Sequence, residues 1–279
     1  MSPQFQDRLR DVPAHHQSPL AAATASRNRD TLAMVSRALA HREVALAYQP
    51  VMRAKKGGGV AFYEGLIRIF DDTGRVIPAR DFIGVAEESD LGRQIDCTAL
   101  ALGLRTLAEQ PSLRLSINMS ARSIGYPQWQ RTLEAGLTAA PRIGERLILE
   151  ITESSAMLMP ELVTTFMAGL QDKGVAFALD DFGAGYTAFR YLKQFYFDIL
   201  KIDSQFIRNI ATDADNQVLA RALLSIGEHF DMYTVAEGVE SRADAEYLLR
   251  LGIDCMQGYF FAAPTIHPPW EAETGRKRA

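Results

Sequence analysis

From about residue 44 onward the chain alternates between short apolar runs and longer segments with apolar residues at helical spacing. The short runs fall at residues 44–50, 61–70, 114–120, 146–152, 175–181, 197–203, 233–238 and 255–261. Their length and β-branched content predict buried strands. Most gaps between them carry helix-patterned stretches, at 80–89, 94–109, 128–139, 161–172, 215–230 and 243–251, several ending near Gly or Pro. Leu32, Val35 and Leu39 predict a helix reaching about His41, ahead of the first strand. Lys55, Lys56 and three successive glycines, Gly57 to Gly59, read as a hairpin between the first two strands.

Strand alternating with helix implies a mainly parallel sheet. Eight strands in 279 residues favour closure into a single-domain α/β barrel of the TIM type, (β/α)8, over an open doubly wound sheet. No Gly-rich phosphate-binding fingerprint follows the first strand, which agrees with that choice. The expected organisation is a disordered or loosely packed leader over residues 1–30, a barrel over 31–268 and a polar tail over 269–279. The leader is rich in Gln, Ser, Ala, Arg and Pro without periodicity, and its His15 and His16 read as solvated side chains.

The formal net charge is −4, with Lys and Arg spread along the chain, so no basic field exists to hold a nucleic acid polymer. Cys97 and Cys255 sit in apolar segments and imply buried thiols in a reducing compartment rather than a disulfide framework. No apolar run reaches the roughly 18 residues of a membrane span, and Asp7, Arg8, Arg10 and Asp11 interrupt any signal peptide. The expectation is a soluble cytoplasmic protein.

Candidate chemistry collects at the strand ends. Glu64, Asn118, Glu150, Asp180 with Asp181, Lys201 with Asp203, Glu237 and Gln257 each close an apolar run. Parallel strands of a barrel finish on one face, so these groups converge there. Glu64 and Arg68 share a strand face, joining a carboxylate to a guanidinium whose planar fork suits a phosphate. Asp180 and Asp181 repel one another unless a cation lies between them. Hard oxygen ligands without a Cys or His cluster point to Mg²⁺ or Mn²⁺, and the number of carboxylates points to two ions. Two metals suit in-line displacement at phosphorus, so phosphodiester hydrolysis is the favoured reaction.

In order, Tyr48 Gln49 Pro50, Glu64 Gly65 Leu66 with Arg68, Asn118 Met119 Ser120 and Glu150 Ile151 Thr152 Glu153 lead the chain's motifs. Asp180 Asp181 Phe182 Gly183, Lys201 Ile202 Asp203, Glu237 Gly238 Val239 Glu240 and Gln257 Gly258 Tyr259 follow. Over about residues 32–264 this series resembles the EAL domain, the bacterial cyclic di-GMP phosphodiesterase family. The resemblance implies hydrolysis of cyclic di-GMP to linear 5'-pGpG on a modified barrel with one antiparallel strand, and a homodimer. It assigns Glu64, Asn118, Glu150 and Asp180 to one metal, and Asp180, Asp181 and Glu237 to the second. Lys201 would position the attacking water, with Glu64, Glu237 and Glu153 in the catalytic set and Glu153 ordering the 182–186 loop. Gln49, Arg68, Asp203 and Gln257 would bind substrate.

One signature position departs from the family, Gly65 standing where Ala is usual. Alternation points residue 65 away from Glu64, so a loosened strand with every ligand retained is expected. Two other functions fit parts of the pattern. A catalytically silent cyclic di-GMP receptor or interaction module would require lost ligands, and none is missing. A glycosidase using two carboxylates without metal leaves Asn118 and the Asp180–Asp181 pair unexplained.

Overall fold

β1 (Val44–Arg53) and β2 (Val60–Phe70) form the hairpin that the glycine turn predicts, with Gly57 at φ +72. The computed structural model describes residues 19–55, 57–140, 142–185 and 192–271. Within it follow β3 (Val76–Pro78), β4 (Leu115–Asn118), β5 (Leu147–Thr152), β6 (Ala176–Phe182), β7 (Ile199–Ile202), β8 (Tyr233–Ala236) and β9 (Cys255–Met256). The sheet order is β1-β9-β8-β7-β6-β5-β4-β2-β3, and a further β1–β2 pairing closes it. β3 extends β2 outside the ring, leaving eight barrel strands. Among those, β1 alone runs against its neighbours, pairing antiparallel with both β2 and β9. The fold is therefore an α/β barrel of modified TIM type with one reversed strand.

The helices are α1 (Pro19–His41), α2 (Ile83–Ala86), α3 (Asp90–Glu109), α4 (Pro127–Ala139), α5 (Glu153–Leu158), α6 (Pro160–Gln171), α7 (Ala214–His229) and α8 (Arg242–Leu251). Side chains cap the starts of several. Ser89 accepts from the Leu91 N–H, Asp213 from Asp215 and Asn216, and Ser241 from Asp244. None of the described helices is long and apolar enough to cross a membrane.

Three expectations change. The helix over 80–89 shrinks to a 3-10 turn, Ala79–Asp81, and the single turn of α2, because buried Phe82 at φ −137 breaks the helix between them. Residues 19–30, read as unperiodic leader, belong to α1; Leu20 and the alanines that follow favour helix without needing an apolar stripe. Residues 1–18, His15 and His16 among them, lie outside the described residues. At the other end, Trp270 belongs to no polar tail. Its ring meets Tyr48 and Tyr63 edge-on at 5.0 and 4.9 Å.

Two apolar bodies hold the barrel. The larger lies between sheet and helices and includes Leu100, Leu104 and Leu107 of α3 with Leu115, Ile117 and Leu149 of the sheet. The smaller comprises Val51, Phe62, Ile148, Ala178, Ile199, Val235 and Cys255. Two residues nearer the rim on the same strand faces, which on reversed β1 means two residues earlier, stand Gln49, Glu64, Glu150, Asp180, Lys201, Glu237 and Gln257. An apolar layer thus supports a polar one.

The Gly65 departure has a packing explanation that reverses the expected loosening. A Cβ at residue 65 would lie 2.7 Å from Ile117 Cδ1, and a Cβ at Gly103 would lie at the same 2.7 Å. Ile117, 1% exposed, fills the volume between two glycines. Gly65→Ala is therefore expected to destabilise the fold by about 1–3 kcal/mol through overpacking, and Ile117→Val to recover most of the loss. Urea denaturation checks this; an unchanged midpoint in Gly65→Ala would show that the space is not filled.

Candidate active site

Lys201 lies at the centre of the polar layer, 1% exposed on β7. Its Nζ is 2.8 Å from Glu150 Oε2, 2.9 Å from Asp180 Oδ1, 2.8 Å from Glu237 Oε1 and 3.8 Å from Glu64 Oε2. β2, β5, β6 and the residue after β8 supply these four carboxylates. Amides hold Glu64 from the other side: Asn118 Nδ2 donates to Oε1 at 2.9 Å and Gln257 Nε2 to Oε2 at 2.6 Å. Gln257 Nε2 also reaches Gln49 Oε1 at 3.1 Å, and Gln49 Nε2 donates to the Ala262 carbonyl at 3.0 Å. Asn118 and Glu150 are register partners, as are Gln49 and Glu64, so sheet pairing sets these neighbours side by side.

The two acidic neighbours Asp180 and Asp181 should point to opposite faces of a strand. They do not, because the β6–β7 register shifts between Leu179 and Phe182 and Asp181 adopts φ +54. This irregularity re-aims the second carboxylate. Asp180, Asp181 and Glu237 consequently offer oxygens within 4.8 Å of one another, as do Glu64, Glu150 and Asp180. Asp180 belongs to both groups.

Charge is unbalanced here. Burial would lower the Lys201 pKa, but Asp180, Glu150, Glu237 and Glu64 outweigh it and raise it well above the ordinary lysine value. Burial pushes the Glu150 carboxyl up to about 8 despite Lys201, and lifts Glu237 well above the usual carboxylate range. Asp181 is raised to about 6 by burial and by Asp180. Burial also works against ionised Glu64, yet Lys201 and the amides of Gln257 and Asn118 hold its pKa below the ordinary value. One ammonium does not neutralise five carboxylates, and a divalent cation would. The donor set fits that role: all ligands are hard oxygens, and buried Glu150 Oε1 has no hydrogen-bond partner.

Neighbouring loops are tied to this layer. Glu153, 2% exposed at the start of α5, accepts the Gly183 N–H at 3.0 Å and so anchors the turn after β6. Residues 186–191, which include the end of the expected 182–186 loop, lie outside the described residues. Asp96 of α3, absent from the sequence-based set, accepts from the Ser120 N–H at 2.9 Å and the Ser123 hydroxyl at 2.6 Å. It pins the turn that leaves Asn118. Its only trace in the sequence is an acid amid the apolar face of a helix.

Two expected residues stand apart from the carboxylate cluster. Half-buried Arg68 donates to the Ile67 carbonyl at 2.9 Å and forms no ion pair among the described residues. Burial lowers its pKa, Glu64 and Tyr259 opposing, which places it within electrostatic reach of both. Asp203 caps the 3-10 turn Ser204–Phe206, accepting from the Gln205 N–H at 2.8 Å. Exposed Tyr259, two residues beyond Gln257, was not anticipated near Arg68.

Comparison with known proteins agrees with the architecture. The chain is 32% identical over 243 residues to the cyclic di-GMP phosphodiesterase PdeF of Escherichia coli (strain K12), an alignment covering 85% of this chain and 32% of that protein. It is 30% identical over 247 residues to the bifunctional diguanylate cyclase/cyclic di-GMP phosphodiesterase MucR of Pseudomonas aeruginosa, covering 87% of this chain and 36% of MucR. The chain thus spans about a third of the length of these relatives. Among solved structures, the MucR phosphodiesterase in complex with c-di-GMP superposes with a TM-score of 0.77 at 29% identity, covering 87% of this chain and 99% of that one. The FimX EAL domain of Pseudomonas aeruginosa bound to c-di-GMP gives 0.77 at 25% identity, covering 85% and 97%. The EAL domain family model matches residues 32–264. On motifs, barrel and match together, the chain belongs to the EAL domain family.

Proposed function

We propose that this protein is a metal-dependent phosphodiesterase that hydrolyses cyclic di-GMP to linear 5'-pGpG. The observation that carries the proposal is the pair of carboxylate groups sharing Asp180, each with its oxygens within 4.8 Å. Glu64, Asn118, Glu150 and Asp180 would hold one Mg²⁺ or Mn²⁺, and Asp180, Asp181 and Glu237 the second. When bound, such ions polarise the phosphoryl oxygens and lower the pKa of water.

The chain's own groups supply the rest. Lys201 orients the attacking water with its ammonium, and ionised Glu237, 2.8 Å from that ammonium, takes the water's proton. Arg68 clasps a phosphate, Gln49 and Gln257 set the orientation of Glu64, and Asp203 lines the substrate side. Glu153 holds the loop after β6. Cleavage of one P–O bond opens the ring and leaves a 5'-phosphate and a free 3'-hydroxyl.

The test is incubation of purified protein with cyclic di-GMP and Mg²⁺ or Mn²⁺, followed by chromatography of the nucleotides. Conversion to pGpG, abolished by chelator, is expected. Unchanged substrate with both metals would overturn the enzyme reading, and binding without turnover would favour the silent receptor.

We infer further that a second copy covers the exposed apolar residues Leu158, Met159 and Leu162, which are 58%, 37% and 41% exposed. Sedimentation velocity should give a dimer, and Leu158→Asp with Leu162→Asp should give monomers. A monomeric wild type at micromolar concentration defeats this inference. Free buried Cys97 and Cys255 support placement in the reducing cytoplasm.

A further inference from the structure

At the end of the barrel opposite the carboxylates, a cavity of about 750 Å³ opens among the first residues of the strands. Its ceiling is the apolar layer that supports the active site, formed by Phe62, Ile148, Ile199, Val235 and Cys255. A TIM-type barrel is ordinarily filled by layers of bulky branched side chains. Of the next inward positions toward the floor, Ala176 on β6, Arg53 on β1, Arg114 before β4 and exposed Tyr233 on β8 line the cavity. Alanine leaves space, and the arginines reach for solvent rather than fill it. The volume lies within the roughly 300–1,000 Å³ range of small-molecule sites.

The rim decides what such a space would accept. Arg53, Lys55 and Arg114 line it, together with Asp198, Asp254 and Glu145. The acids are already engaged. Asp254 Oδ2 accepts the Thr234 N–H and hydroxyl, both at 2.8 Å, Asp198 Oδ2 accepts the Phe177 N–H at 2.8 Å, and Glu145 pairs with Arg142 at 3.2 Å. Two of the three cations are not. Arg53 donates only to the Val60 carbonyl, and neither Lys55 nor Arg114 has a side-chain hydrogen bond or ion pair among the described residues. Apolar walls beneath unpaired cations match a molecule with an aliphatic body and an anionic head.

We propose that this floor cavity binds an amphipathic organic carboxylate, its chain against the Phe62–Ile148–Ile199–Val235 ceiling and its head between Lys55 and Arg114. The site is separate from the carboxylate cluster and does not depend on the proposed reaction.

Isothermal titration of the full chain with octanoate tests it. One saturable site is expected, at least tenfold weaker in Lys55→Ala/Arg114→Ala and in Ala176→Leu, which fills the space without altering charge. 1-Octanol, which lacks the charge, should also bind at least tenfold more weakly. The double charge variant changes exposed side chains only, so it remains informative if Ala176→Leu misfolds. Absence of saturable binding by the wild type, octanoate affinity unchanged in the charge variant or in folded Ala176→Leu, or octanol binding as tight as octanoate overturns the proposal.

Discussion

Replacing Lys201 with methionine is expected to lower cyclic di-GMP turnover by roughly 10²- to 10³-fold, the range found when a preorganised donor to a reacting group is removed. Methionine keeps the length and packing of the stem but takes away the one ammonium in contact with Glu64, Glu150, Asp180 and Glu237. The same change leaves buried carboxylates without their counter-ion, a loss of about 3 kcal/mol or more when no metal is bound. Added Mn²⁺ should restore much of that stability, because bound ions would neutralise the carboxylates, and should restore none of the turnover, because a metal would not replace the group proposed to orient water. Steady-state rates at saturating Mn²⁺, with denaturant midpoints measured with and without metal, separate the two effects. Turnover within threefold of the wild type would remove Lys201 from the mechanism.

Asp96 should make the fold's stability depend on pH, and Asp96→Asn should abolish that dependence. Burial raises the Asp96 pKa from 3.8 to about 7, with the Ser123 hydroxyl and Ser120 N–H opposing the shift. Between these values the folded chain holds a proton that the unfolded chain has released. Stability contributed by this group is therefore present in full below pH 3.8 and falls as pH rises toward 7. The loss is on the order of 4 kcal/mol across that window. An asparagine carbonyl can still accept from Ser120 and Ser123, and its amide never ionises. Urea stability of Asp96→Asn relative to wild type should accordingly climb between pH 4 and pH 7.5, and groups common to both chains cancel in the difference. A difference that does not vary with pH would show that Asp96 is ionised in the fold without cost.

The two effects lie in different layers of the molecule. Lys201 acts at the strand ends, where the carboxylates meet. Asp96 acts from α3, holding the turn that carries the chain away from Asn118. Substitution at Asp96 is thus expected to be read first in stability and only through loop position in catalysis.

Much of this arrangement was legible along the chain because barrel geometry converts order into position. Parallel strands deliver their last residues to one rim, so a polar residue closing each apolar run marks a shared site whatever the helices between them do. Glu64, Glu150, Asp180, Lys201 and Gln257 needed no further information. Helix bounds were less certain, as at 80–89, where the burial of one aromatic residue outweighs local propensity.

Other features depend on contacts between residues far apart in the chain. Period-two alternation assigns Asp181 to the wrong face, and only the irregular β6–β7 pairing with its left-handed backbone brings that carboxylate beside Glu237. Gly65 reads as a missing methyl until Ile117 is seen to occupy the gap from another strand. Likewise, no periodicity announces that the barrel floor is left open beneath its middle layer, since that depends on the side chains of every strand together. The amino-acid order alone therefore determined the strands, the barrel and the groups at its rim, whose positions follow from local periodicity and strand direction. Which neighbouring carboxylates face the same point, what fills each space and where a cavity remains came only from the packed structure, because those outcomes depend on side chains brought together by folding.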